Sequence, residues 1–394
     1  MLRKFTVNNF KSLINVTYEP GAVNLLVGLN NSGKTNLCQA LRFLRQTARG
    51  QEVSLLSAWR NVAGGERTRV TNAYFDHPTI DLSCHCDLAI DSETLAFHYS
   101  LSLHAVPIGP LGVVAEQLHV SGGPFGLEGV TLLENKAGEI RLLDEERYLA
   151  KISLDVCYQD TIAEKSTTML SHLYDRRVNR RAIAFRDYLT YWQYYDLDVH
   201  RLRDDHLDRE AFFLTSDGSN LASAIFYLKS SDERLYRRLV GLVQQIERRL
   251  DAFNFSPVGE RIQMDLTDAQ DNRFSPTNIS DGTLRFMALC YVMLTNAQWE
   301  PRRLSIIEEP ENGLYVRYLK PLFELIDPSG AGGQYIFTSH SPYFIDLFDV
   351  YPENITVMQD RGTHSALVKP DPARVRKYLE EMPLGELHFR EMLT

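Results

Sequence analysis

Gly28-Leu-Asn-Asn-Ser-Gly-Lys-Thr35 matches the pattern G-x-x-x-x-G-K-[ST] at every fixed position. The apolar run Val23 to Val27 precedes it, and Leu37, Leu41 and Leu44 follow at helical spacing. Strand, glycine-bounded loop and helix is the context in which this pattern cradles phosphate. Backbone N–H groups curl around the phosphates and the helix N-terminus adds its positive end. Lys34 reaches the β and γ oxygens, and the Thr35 hydroxyl can ligate Mg²⁺. Asn30, Asn31, Ser32, Gly33, Lys34, Thr35 and Asn36 are therefore the expected nucleotide-binding residues. Asn31 stands where many such loops carry glycine, and Asn tolerates a left-handed backbone better than most residues.

Outward from the loop, Leu2 to Val7 reads as a strand ahead of Val23 to Val27, with turns at Asn8-Asn and Glu19-Pro-Gly. From about Thr71 to Cys157 the apolar period becomes two, as in Phe97 to Leu103 and Gly129 to Leu143, with a hairpin turn at Asn135-Lys-Ala-Gly. From about Thr161 to Asp251 the chain reads as mainly helical. It ends in an amphipathic helix after Ser231-Asp. Buried strands are then expected at Leu304 to Ile307 and Tyr335 to Thr338, with a helix from Leu314 to Ile326 between them. The simplest architecture is one α/β domain assembled from both ends of the chain, with an antiparallel subdomain and a helical arm inserted in its middle. The parts run 1–160, 161–255 and 256–394.

Chemistry beyond phosphate binding is concentrated in the last part. Leu304-Ser-Ile-Ile-Glu-Glu-Pro-Glu-Asn-Gly-Leu314 ends an apolar run in two adjacent carboxylates. Glu308 can hold the Mg²⁺ shell, and Glu309, pointing elsewhere, can polarise an attacking water. Acids also favour helix starts, which accounts for Glu311 but not for two acids ending a buried strand. In Ile279-Ser-Asp-Gly-Thr-Leu-Arg285 a Ser-x-Gly turn opens a helix whose N-terminus can meet an anion. Thr338-Ser-His-Ser-Pro puts His340 just past a strand, where a γ-phosphate sensor can sit. Each of these two also reads as an ordinary cap or strand-end residue when taken alone.

Taken in order, the phosphate loop, Ser280-Asp-Gly-Thr-Leu-Arg, Glu308-Glu-Pro-Glu-Asn-Gly-Leu and Thr338-Ser-His-Ser-Pro resemble the motifs of ABC-type P-loop NTPase heads. More narrowly, the chain looks like the AAA/ABC-type ATPases related to the head of overcoming-lysogenization-defect (OLD) nucleases and to recombination-repair and chromosome-maintenance ATPases. Asn9-Phe-Lys-Ser-Leu, Thr215-Ser-Asp-Gly-Ser-Asn-Leu-Ala and Leu384-Gly-Glu-Leu extend the likeness over nearly the whole chain. The resemblance implies an ATPase that sandwiches ATP and Mg²⁺ between two copies. Ser280 and Gly282 would contact the γ-phosphate held by the opposite copy, and Asn312-Gly-Leu would line the seam. Glu309 would orient water, His340 would sense the γ-phosphate, and Lys34, Thr35 and Glu308 would hold phosphate and metal. Two departures stand out. Glu308 replaces the usual aspartate, and the glutamine that completes the metal shell has only Gln51 as a candidate.

OLD-type enzymes carry a metal-dependent nuclease module after this histidine, whereas only residues 341–394 follow here. The resemblance therefore implies no intrinsic nuclease. The expected roles are a regulatory or sensor subunit acting on DNA or on a separately encoded nuclease or toxin, in anti-phage defence or genome maintenance, or an ATP-locked scaffold that holds such a partner inactive. A P-loop kinase or GTPase is disfavoured, since no guanine-reading Asn-Lys-x-Asp occurs. The formal net charge of −9 argues against an overall polyanion binder but allows a local patch. Asp175 to Trp192, with five arginines and then aromatics, is the candidate DNA contact; a solvated helix face over an aromatic core is the alternative. Five scattered cysteines do not suggest a disulfide framework, and Cys84-His-Cys86 reads as strand rather than metal site. Without a signal-like or membrane-length apolar run, a cytosolic protein is the expectation.

Overall fold

The structure is a computed structural model that describes residues 1–50, 53–63, 69–75, 77–105, 111–136, 138–152, 157–161, 165–204, 211–259, 261–296, 303–327, 329 and 332–393. The chain starts with β1 (Leu2–Asn8), β2 (Val16–Tyr18) and β3 (Val23–Val27), then α1 (Lys34–Thr47) and α2 (Leu55–Ala63). The strands β4 (Thr79–Ile90), β5 (Glu93–Ala105), β6 (Leu111–Ser121), β7 (Val130–Lys136) and β8 (Glu139–Leu143) follow, then α3 (Glu145–Leu149) and β9 (Cys157–Thr161). The middle holds α4 (Arg180–Thr190), β10 (Gln193–Tyr195), α5 (Leu221–Ser231), α6 (Glu233–Gln244), β11 (Ala252–Val258), β12 (Arg261–Thr267) and β13 (Arg273–Phe274). The last part is α7 (Asp281–Asn296), β14 (Leu304–Glu308), α8 (Leu319–Phe323), β15 (Gln334–Thr338), α9 (Pro342–Ile345), β16 (Ile355–Asp360), β17 (Ser365–Val368), α10 (Pro372–Leu379) and α11 (Leu384–Phe389).

The nucleotide-type sheet has the order β10-β14-β15-β3-β16-β17, and its strands run parallel except for the last pair. β3 enters from the N-terminal part and lies between β15 and β16, so both ends of the chain build one sheet. Every residue of β3 and β15 is buried, as expected for parallel strands covered on both faces. Alternate side chains then serve two cores. Leu26, Ile306 and Ile336 face the first, with α1, α4 and the antiparallel sheet, while Leu25, Val27, Ile307 and Phe337 face the second, with α5, α6 and α7.

The expected antiparallel subdomain is a sheet in the order β2-β1-β4-β5-β6-β7-β8-β9. Period-two burial in β4 turns Cys84 and Cys86 into the core and leaves His85 on the other face, stacked on His98 with centroids 4.1 Å apart. A small sheet, β11-β12-β13, completes the set.

Residues 161–255 carry the expected helices, and Asp232 caps α6 by accepting the Leu235 N–H at 3.0 Å. They also supply β10, which pairs with β14 from Gln193↔Ser305 to Tyr195↔Ile307 and was not anticipated. The helix expected from Leu314 to Ile326 is shorter. Gly313 adopts φ +70°, Tyr315 is extended, and a 3₁₀ turn at Val316–Tyr318 leads into the five residues of α8. No described helix is long and apolar enough to cross a membrane.

The candidate nucleotide site

The phosphate loop takes its shape from three left-handed positions: Gly28 (φ +151°), Asn31 (φ +65°) and Gly33 (φ +102°). Asn31 is thus accommodated in the way its side chain allows. Gly28 is sterically obligatory, because a Cβ there would lie 2.3 Å from the Met358 carbonyl oxygen. Ser32, Gly33 and Lys34 are buried, whereas Asn30, Asn31 and Thr35 are exposed at the mouth. Asn36 donates from Nδ2 to Ser12 Oγ at 2.7 Å, and Ser12 in turn pairs with Ser365 Oγ at 2.6 Å, forming one rim from Asn9-Phe-Lys-Ser-Leu and β17.

Lys34 Nζ donates to the carbonyls of Gly28 at 2.8 Å and Leu29 at 3.1 Å, which folds the ammonium back across the loop. Burial pushes its pKa down to about 8, against the opposing pull of Glu309 and Glu308. Thr35 Oγ1 donates to Glu308 Oε2 at 3.1 Å, and the Tyr194 hydroxyl donates to Glu308 Oε1 at 3.0 Å. Burial raises the Glu308 pKa, and these two hydrogen bonds oppose the rise. A hydroxyl beside a carboxylate is a hard-oxygen donor set, so the residues fit Mg²⁺ despite the longer glutamate arm. Gln51 lies outside the described residues.

Glu309 is turned away from Glu308 by a left-handed backbone, φ +44°, which is costly for a non-glycine residue and clusters at functional sites. Its N–H donates to the Thr338 carbonyl at 3.1 Å, anchoring that turn to the end of β15. Its carboxylate accepts from Asn312 Nδ2 and lies 3.6 Å from His340 Nε2. Burial, with the charge of Lys34 next, holds the His340 pKa below the ordinary imidazole value, so the ring is neutral at pH 7.

Glu311 corrects the helix-start reading. Its Oε1 accepts from Ser339 Oγ at 2.6 Å, His340 N–H at 3.0 Å and Ser341 N–H at 3.1 Å. It therefore clamps the loop after β14 to the loop after β15, and so fixes the backbone that carries His340. The structure thus brings Lys34, Thr35, Glu308, Glu309 and His340 together.

Ser280 and Gly282 sit at the start of α7 instead. The Ser280 hydroxyl pairs with Thr283 Oγ1 at 2.8 Å and accepts the Thr283 N–H at 3.1 Å. Gly282 packs so closely on the loop after β14 that a Cβ would come 2.7 Å from the Gly313 carbonyl oxygen. One turn further, Arg285 is buried with no hydrogen-bond partner for its Nε among the described residues, and the carboxylates of Asp196, Glu309 and Glu311 oppose the lowering of its pKa by burial. Tyr194 and Arg285 had no role assigned from sequence, and Glu311 only that of a helix start. Arg285 carried a visible signal, a charge embedded between Leu284 and Phe286 on a buried helix.

The candidate DNA segment, residues 175–192, divides between core and surface. Phe185, Tyr188 and Trp192 are core residues, and Phe185 stacks on Phe97 at 5.2 Å. Arg176 pairs with Asp187, Arg180 with Asp91, Arg181 with Glu145 and Arg186 with Asp187. These aromatics serve the core, as in the alternative of a solvated helix face over an aromatic core, while Arg177 and Tyr191 of the same segment are exposed.

With this geometry in place, the family model described as "AAA domain, putative AbiEii toxin, Type IV TA system" matches residues 23–82 and 133–346. The chain belongs to that family. Residues 83–132 of this AAA protein, outside the match, hold the rest of β4 with β5 and β6. Among solved structures it is similar to an SMC head bound to the C-terminal winged-helix domain of ScpA, at TM-score 0.56 and 14% identity over 93% of this chain and 97% of that one. It is also similar to an Smc head with an extended coiled coil bound to the C-terminal domain of ScpA derived from Pyrococcus furiosus. There the TM-score is 0.51 and the identity 14%, over 96% of this chain and 98% of that one. At such identity the likeness shows the fold, that of an ABC-type ATPase head. No match is found among curated proteins.

Proposed function

We propose that this AAA protein hydrolyses ATP as a nucleotide-sandwich homodimer. It would serve as a regulatory or sensor subunit for DNA or for a separately encoded nuclease or toxin, in bacterial anti-phage defence or genome maintenance. The observation that carries the reading is the convergence of Lys34, Thr35, Glu308, Glu309 and His340 at one loop mouth.

In this mechanism Lys34 holds the β and γ oxygens, and Thr35 and Glu308 hold Mg²⁺, which when bound neutralises charge on the transferred phosphoryl group. Glu309 accepts a proton from the attacking water as that oxygen bonds the γ-phosphorus and the β–γ bridge breaks, releasing ADP and phosphate. Neutral His340 donates to the γ-phosphate. Ser280 and Gly282 act on the nucleotide of the other copy.

Exposed apolar side chains beside the site residues support self-association. Leu29 is 65% exposed, Tyr315 75% and Tyr343 59%, and each lies on a segment that carries a site residue. The matched family, described as a putative AbiEii toxin of a Type IV TA system, favours the defence reading. A second reading, an ATP-locked scaffold with slow turnover, draws on the similar SMC heads, whose structures hold a bound ScpA domain.

The test is the mass of Glu309→Gln in solution with Mg²⁺ and either ATP or ADP, by light scattering. Twice the 45.1 kDa chain mass with ATP but not with ADP supports the sandwich. One mass under all conditions contradicts it. DNA-stimulated turnover favours action on DNA, and a co-purifying partner released by ATP favours the scaffold.

A further inference from the structure

Leu384-Gly-Glu-Leu is a stretch of the family likeness that the proposed chemistry leaves unused. In the fold it forms the start of α11, with Leu384 and Leu387 fully buried in the second core. The Gly385 N–H donates to Asp346 Oδ1 at 2.7 Å, and a Cβ at Gly385 would lie 2.6 Å from the Pro342 backbone. So α11 sits directly on α9, the short helix that follows His340, and glycine is what permits the approach.

That docking aims the residue after the motif at the phosphate loop. His388 shares a cavity of about 380 Å³ with Leu29, Asn30 and Ser32 of the loop, with Arg361 beyond β16, and with Glu391. Among the described residues neither ring nitrogen of His388 has a hydrogen-bond partner. Burial holds its pKa down at about 4, with Lys34 and then His340 adding to the effect, so it is a neutral donor and acceptor that feels the charge of Lys34. Asp360 and Glu391, the carboxylates on the cavity wall, are exposed to solvent, which screens them. His388 thus lines the cavity beside Asn30 and Ser32 of the phosphate loop, close enough to Lys34 and His340 for their charges to act on its ring.

We infer that His388 is a further nucleotide-binding residue, donating an N–H to the terminal phosphate of a bound nucleoside triphosphate, so that the C-terminal helix distinguishes triphosphate from diphosphate. This rests on the reading of the loop as an ATP site. The ring needs no proton uptake to donate, and the contact vanishes when the terminal phosphate leaves.

The experiment measures ATP and ADP dissociation constants, both with Mg²⁺, for Glu309→Gln alone and combined with His388→Ala or His388→Gln. His388→Ala should weaken ATP about tenfold, the value of one hydrogen bond to a charged group. ADP should stay within about twofold, and His388→Gln, which retains an N–H donor, should recover part of the loss. A merely structural role would weaken both nucleotides together, and that result, like no change in either, overturns the inference. If the parent binds ATP normally while the ATP-to-ADP ratio ignores His388, the inference alone falls. If the parent binds neither nucleotide, the ATP reading falls with it.

Discussion

In the proposed mechanism Glu309 and Lys34 divide the chemistry of the site between proton transfer and phosphate binding, and each makes its own demand on experiment. Glu309→Gln should lower turnover by roughly 10²-fold or more while ATP binding persists, because the amide cannot accept the proton of the attacking water. Full activity in a steady-state assay would remove Glu309 from that role. Lys34 has its pKa depressed to about 8 in the nucleotide-free fold. It is charged below that pH and loses its proton above it, whereas bound phosphates favour the charged form. ATP affinity should therefore fall as pH rises past about 8, by at most about tenfold per pH unit, with proton uptake on binding. Calorimetry on either side of that pH in buffers of different ionisation enthalpy would show it. An affinity flat across the range would mean that Lys34 keeps its charge.

Two inter-loop contacts hold the elements around the site in register. Glu311→Ala would orphan the Ser339 hydroxyl and the His340 N–H, while the Ser341 N–H keeps its 3.0 Å bond to Ser339 Oγ, and should cost about 1–3 kcal/mol in denaturant unfolding. Turnover should fall more than ATP affinity, since His340 loses its anchor and Lys34 does not. Gly282→Ala would force the start of α7 off the Gly313 carbonyl. A displacement of that kind should lower turnover by roughly 10²-fold while ATP still binds; unchanged turnover would show that the α7 contact is not part of the working site. These contacts also mark where reading the sequence stops. The phosphate loop, the paired acids and His340 were legible because each motif is contiguous and carries its strand or helix signal with it. Tyr194 was not, because β10 is three residues long, too short for any periodicity, and its hydroxyl finds Glu308 only through sheet pairing. Glu311 was misassigned for a related reason. An acid near a helix start and an acid clamping a distant loop look alike until β14 and β15 lie side by side.

Across the whole molecule, the interleaving of both chain ends in one sheet was readable from the order of the motifs. The burial of Phe185, Tyr188 and Trp192 was not, since an aromatic helix face serves a core or a ligand equally well before the sheet that covers it is known. The sandwich itself makes the central claim, that one chain holds only half of each catalytic site. Mixing two inactive variants, Lys34→Ala and Ser280→Arg, tests it most directly. In a mixed dimer one site pairs the intact loop of one copy with the intact Ser280 of the other, so ATPase activity should reappear on mixing and rise with the fraction of mixed dimer. A mixture of folded variants as inactive as its parents would contradict the account.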